Sequence, residues 1–153
     1  MQRIIINIGD IIVSSEPALL ETVLGSCVSV CLWNERLRIG GMNHFMLPQT
    51  KDNTKDKGYY GCESIHEMVN KFIRLGSAAQ SLKAKVFGGS RVNKTIYQKR
   101  TMDIGKENVR IAKDILDKYS ISVIKEFTGP DYGIKVIFCT STGRAFIKRL
   151  GVV

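Results

Sequence analysis

Two β-rich runs separated by a short polar connection constrain this chain more than any other feature. Cys27 to Trp33 is dense in β-branched and aromatic residues, and Arg38 to Leu47 resumes as a second extended run that stops at Pro48. The link between them, Asn34-Glu35-Arg36-Leu37, is too short for anything but a hairpin. Along the first strand Val28, Val30 and Leu32 point one way, and Cys27, Ser29, Cys31 and Trp33 the other. A two-residue loop with Asn34 facing Leu37 and a four-residue loop with Trp33 facing Arg38 give the same register. In it Cys31 faces Gly40 and Cys27 faces His44. Directly opposed residues share a face, with Cβ atoms roughly 4.5–5.5 Å apart. The hairpin therefore predicts a thiol beside an imidazole.

That pairing has a chemical use. A thiol with a pKa near ~8.5 is mostly protonated at neutral pH, and an adjacent imidazole can take its proton. Gly25-Ser26, just before Cys27, offers a tight turn whose backbone N–H groups can face a developing oxyanion. A third polar group should orient the imidazole, and Thr22, Glu21 and Ser26 are the local candidates. Taken singly, Cys27 reads as a buried core thiol and His44 as a satisfied core histidine. The shared register and the preceding turn raise the catalytic reading to equal standing.

Zinc is the competing use of the same residue types. Cys27-x3-Cys31 and Cys62-x3-His66 offer four ligands on paper. Positions i and i+4 of a strand lie about 13 Å apart, so the first pair cannot grip one tetrahedral ion. We expect no metal and no cofactor. Gly88-Gly89-Ser90 lacks the lysine and spacing of a phosphate loop and reads as a turn.

The rest of the chain reads as one α+β domain spanning 1–153, with mixed or antiparallel sheets in a sandwich-like arrangement flanked by two or three helices. Strands are expected at Ile4–Ile6, Ile11–Val13, Leu19–Leu24, Ala84–Phe87, Ser122–Phe127, Lys135–Cys139 and Ala145–Lys148. The apolar spacing of Ile65, Met68, Val69, Phe72 and Ile73 predicts a helix ending near Gly76. Asp103 can cap a second, with Val109, Ala112, Ile115, Leu116 and Tyr119 as its stripe. Gln49 to Tyr60 is polar and reads as a surface loop.

No apolar run reaches the roughly 18 residues of a membrane span, and the N-terminal apolar stretch is too short for a secretory signal. The expectation is a cytoplasmic protein with its four cysteines reduced and no membrane insertion. A net charge of +9 favours acidic partners. No aromatic–basic interleaving or zinc-finger spacing points to nucleic acid, so a solvated basic surface is the plainer reading and an acidic protein partner stays open.

Thr22-Val23-Leu24-Gly25-Ser26-Cys27-Val28-Ser29-Val30 followed by Gly40-Gly41-Met42-Asn43-His44-Phe45-Met46-Leu47-Pro48 resembles the CheD family of chemoreceptor glutamine deamidases. Lys85-Val86-Phe87-Gly88-Gly89 and Asp103-Ile104-Gly105-x-x-Asn108 match in kind and order. The resemblance implies a cysteine-hydrolase fold shared with some bacterial deamidating toxins. It implies hydrolysis of selected glutamines on methyl-accepting chemoreceptor helices in chemotactic adaptation, with a CheC-like phosphatase as a further partner in some members. Cys27 matches the family nucleophile and His44 the family histidine. The family threonine lies six residues before the cysteine in some members, which here is Glu21, while Thr22 stands at five. Thr22 is the expected third residue by type. In a regular strand it and Glu21 face opposite ways.

Overall fold

The computed structural model describes residues 1–49, 56–91 and 103–151. Its nine strands are β1 (Gln2–Ile5), β2 (Ile11–Ser14), β3 (Ala18–Leu24), β4 (Val28–Asn34), β5 (Ile39–Asn43), β6 (Lys83–Gly88), β7 (Ser122–Thr128), β8 (Ile134–Cys139) and β9 (Ala145–Arg149). The helices are α1 (Gly61–Arg74) and α2 (Ile104–Lys118). Part of the expected loop, residues 50–55, lies outside the described residues, and a short 3-10 turn at Lys57–Tyr59 follows it.

Two sheets stack face to face. One runs β1-β3-β8-β9 and the other β2-β5-β4-β6-β7. The neighbouring strands β1 and β2 thus part company: β1 lies parallel to β3, while β2 pairs with β5. The inner layer between the sheets holds Leu20, Leu24, Cys31, Trp33, Met42, Phe87, Val136 and Phe138. On its other face the five-stranded sheet packs against both helices through Val28, Val30, Leu32, Ile65, Met68, Phe72, Ile115 and Leu116. All seven residues of β4 are buried, because it is the middle strand of the sheet that is itself the middle layer. A strand covered on both faces cannot show a clean polar alternation. The two core layers confirm that its odd and even positions face opposite ways.

The helices form where expected and for the expected reasons. Ile65, Met68, Val69 and Phe72 make the buried stripe of α1, and Gly76 follows its end at a positive φ of 94°. Asp103 caps α2 by accepting a hydrogen bond from Lys106 N at 3.1 Å.

The β4–β5 hairpin corrects one expectation. Asn34 faces Ile39, Trp33 faces Gly40 and Cys31 faces Met42, a register two residues away from the one read from the sequence. The connection is four residues, Glu35 to Arg38. Asn34 Oδ1 accepts from Leu37 N at 2.9 Å, and Arg38 takes a left-handed φ of 55°. A side-chain-bonded asparagine plus one left-handed residue closes a four-residue turn one position further along the chain than the four-residue loop read from the sequence.

Candidate active site

The corrected register sets His44 opposite Ser29 rather than opposite Cys27. Val28 and Phe45 still exchange both backbone hydrogen bonds, each 3.0 Å, just beyond the end of the regular ladder. Cys27 and His44 are therefore diagonal neighbours. In a regular ladder such pairs have Cα atoms about 7–8 Å apart and share a face, still within reach of one another's side chains. The ladder opens at this point. Val30 N bonds the side chain of Asn43 (2.7 Å to Oδ1) instead of its backbone, and Ser29 Oγ takes the Asn43 carbonyl at 2.6 Å. Asn43 Nδ2 in turn reaches Ser64 Oγ on α1 at 2.9 Å. These polar contacts fix the backbone on the residue before the histidine.

The imidazole is held on one side only. Thr22 Oγ1 lies 2.7 Å from His44 Nδ1 and 2.6 Å from the Ile6 carbonyl oxygen. The carbonyl can only accept, so the single hydroxyl hydrogen goes there. The threonine oxygen then accepts from Nδ1–H. That assigns the lone pair to Nε2, which is buried and has no hydrogen-bond partner among the described residues. Burial pushes the His44 pKa below its ordinary 6.5, with the Ile6 carbonyl and the Asp10 carboxylate pulling the other way. At neutral pH the ring is an uncharged base. A pocket of about 350 Å³ is lined by His44 together with Ile6, Thr22, Val23 and Lys135.

Glu21 faces away, as alternation requires. It pairs with Arg3 at 2.5 Å and Lys135 at 3.3 Å, and these cations hold its carboxyl below the usual range. Of the local candidates for the third position, Thr22 touches the histidine; Glu21 is spent on an ion pair.

Cys27 sits at the mouth of β4, partly exposed, and is one of four free thiols. Burial pushes its thiol above the ordinary 9.0, while its own backbone N–H favours the thiolate. The turn before it is clamped by its carbonyls. Gly25 O accepts from Ser90 N at 2.9 Å, Ser26 O from Asn108 Nδ2 at 3.1 Å, and Cys27 O from Gly89 N at 2.9 Å. No peptide among the described residues is cis, so each N–H points opposite to the carbonyl of its own peptide. Val28 N–H obeys this and goes to Phe45. The N–H groups of Ser26 and Cys27 meet no backbone acceptor among the described residues. Gly88 is needed for the clamp: its φ is 105°, and a Cβ there would stand 2.3 Å from Cys27 O. A thiol, a neutral base and two amides with no backbone acceptor among the described residues lie at one end of the sheet. Such a set can carry acyl transfer.

No group of three or more His, Cys, Asp or Glu able to hold a metal occurs among the described residues. His66 bonds Tyr119 Oη at 2.5 Å through Nδ1. The residues that sequence reasoning left without a role are Asn43, Ser29 and Asn108. The first two had a signal: each is a polar residue in a mostly apolar strand, Ser29 on β4 and Asn43 on β5.

Residues 46–149 match the family model described as CheD chemotactic sensory transduction. Over 148 residues the chain is 37% identical to a probable chemoreceptor glutamine deamidase CheD 1 of Anaeromyxobacter dehalogenans, covering 97% of this chain and 85% of that one. It is 33% identical to a probable chemoreceptor glutamine deamidase CheD of Methanococcus vannielii, covering 94% and 93%. A third, the probable chemoreceptor glutamine deamidase CheD 1 of Albidiferax ferrireducens, is 38% identical over 93% of this chain, which spans only 59% of that relative's length. Among solved structures, the hypothetical protein YfiH of Bacillus licheniformis superposes with a TM-score of 0.54 at 15% identity, covering 80% of this chain and 51% of that one. At that identity the likeness supports the fold. None of the described helices is long and apolar enough to cross a membrane.

Proposed function

The chain belongs to the CheD family, and from that premise we propose that it deamidates glutamine side chains of methyl-accepting chemoreceptors, with Cys27 as nucleophile, His44 as base and Thr22 as the group that orients His44. The observation that carries the reading is the imidazole. Its Nδ1 is tied to Thr22 and its Nε2 is free, on the sheet face it shares with Cys27.

The steps follow from that geometry. The Cys27 sulfur adds to the glutamine amide carbon as its proton passes to His44 Nε2. The oxygen of the tetrahedral adduct gains negative charge, and the N–H groups of Ser26 and Cys27 are placed to receive it, with Gly25 supplying the bend. The imidazolium returns the proton to the departing nitrogen, and ammonia leaves a thioester. Water, deprotonated by His44, attacks the thioester and expels the thiolate, leaving glutamate. The resting state is a neutral thiol beside a neutral imidazole, since burial raises the one pKa and lowers the other. Proton transfer therefore accompanies attack rather than preceding it.

The net charge of +9 suits an acidic receptor segment, and a cytoplasmic site of action follows from that substrate. A CheC-like phosphatase partner, the alternative role, has no feature of the fold that favours it over catalysis. Incubation with a receptor cytoplasmic fragment tests the proposal. Selected glutamines should gain about one dalton, the difference between –NH2 and –OH. Cys27→Ala should leave the fragment unchanged while retaining the fold. Equal conversion by that variant would contradict the assignment.

A further inference from the structure

Asn108 stands 82 residues along the chain from Ser26, yet its side chain closes the site from behind. Its Nδ2 donates to two carbonyls, Ser26 O at 3.1 Å and Met46 O at 3.0 Å. One belongs to the residue before Cys27. The other lies two residues after His44. An amide NH2 has two hydrogens, and both are used. The residue is fully buried, and its Oδ1 has no partner among the described residues. The two acceptors fix which end of the amide faces the site, because a flipped Oδ1 would confront two carbonyl oxygens. An unpaired buried acceptor is a cost that a residue filling space alone would not need.

The surrounding motif exists to bring that amide in. Asp103 caps α2. Gly105 lets the first turn lie on the Gly88–Gly89 bend: a Cβ there would stand 2.5 Å from Gly89 O and 2.8 Å from Ser90 O. Asn108 then falls one turn further, against the backbone of the nucleophile's turn.

Building on the reading of Cys27 as nucleophile, we infer that Asn108 is a positioning residue that sets the Ser26–Cys27 peptide plane and so aims the Cys27 N–H at the developing oxyanion. The peptide is trans, so anchoring Ser26 O toward α2 turns the Cys27 N–H away from α2, to the side of its own sulfur. The second bond, to Met46 O, ties the same plane to the segment that carries His44. Asn108 touches no reacting atom. It acts through a backbone donor, and its effect belongs to steps that build negative charge on oxygen.

Two reagents separate that role from a structural one without any receptor. Transfer of the acetyl group of p-nitrophenyl acetate to Cys27 forms an S–C bond, expels p-nitrophenolate and passes through a tetrahedral oxyanion. Alkylation by iodoacetamide forms an S–C bond and expels iodide with no oxyanion. Both need the same sulfur to give up its proton as it attacks. Rates at Cys27, followed by peptide mass mapping, should show in Asn108→Asp an acylation rate at least 30-fold below the parent, with alkylation within threefold and its pH profile unmoved. Gly105→Ala keeps the amide but backs α2 off, and should lower the same ratio in the same direction. With the receptor fragment, kcat should fall and KM stay within threefold. Equal loss in acylation and alkylation, an unchanged ratio in a folded variant, or failure of both variants to fold would overturn the inference. If the parent acylates normally but converts no receptor glutamine, the substrate assignment fails and the positioning role stands.

Discussion

Cys27 and Cys31 lie four residues apart on the same face of the same strand, and their surroundings make them different reagents. Cys31 is fully buried between the sheets, facing Met42, and burial drives its thiol far above the ordinary cysteine range. Cys27 sits where the strand opens, partly exposed, with its own N–H favouring the thiolate and a Ser26 N–H that meets no backbone acceptor among the described residues. The contrast teaches that position in the sheet, not residue type, separates a packing thiol from a nucleophile. The rim also has what the interior lacks: an imidazole whose free nitrogen is not consumed by the fold.

The sharpest way to break this comparison is to remove the base. His44→Ala should lower kcat on a receptor fragment by roughly 10³-fold or more, the upper part of the range for a lost general base, with little change in unfolding temperature. Thr22→Val keeps the shape of the side chain and removes the acceptor for Nδ1–H. Without it the ring can adopt the wrong tautomer, and kcat should fall roughly 10–100-fold. The pH profile sharpens the same point. His44 must be neutral to act, and its pKa lies below 6.5, so the acid limb of kcat/KM should fall below pH 6.5. An acid limb above 6.5 would contradict a histidine whose pKa burial has lowered.

The interior makes its own forecast. Cys31→Ala should leave kcat within threefold and cost about 1–2 kcal/mol of stability through the small cavity it opens, read by denaturant unfolding. Iodoacetamide should label Cys27 in the folded protein and spare Cys31. The smallest effect is at the neighbour of Thr22. Glu21→Gln removes a charge from the outer sheet face, and kcat should change less than twofold, since Arg3 and Lys135 engage it away from the ring.

What was legible in the sequence was the face, not the pairing. The alternation of Val28, Val30 and Leu32 against Cys27, Cys31 and Trp33 put the thiol toward the layer between the sheets, where Thr22 also holds the imidazole. The register missed by two because it depended on Asn34 bonding Leu37 N and on Arg38 turning left-handed, neither of which pattern or propensity announces. A shift of two preserves the face, whereas a shift of one would have separated the pair. Thr22 over Glu21 was half legible: alternation allowed only one of them to reach the ring, and the ion pair of Glu21 with Arg3 and Lys135 shows which. The partition of β1 and β2 into different sheets was not legible, since both are short apolar runs and only tertiary packing distinguishes them. Nor was the reach of Asn108 to Ser26, a contact closed by the whole fold.

The central claim is that Cys27 forms a covalent bond with the glutamine carbonyl under the care of His44. Rapid acid quench of the protein mixed with a receptor fragment, followed by mass mapping, tests it most directly. A thioester adduct should appear on Cys27, and be absent from Cys31, Cys62 and Cys139. Adduct on another cysteine, or undiminished glutamate formation by Cys27→Ala, would contradict it.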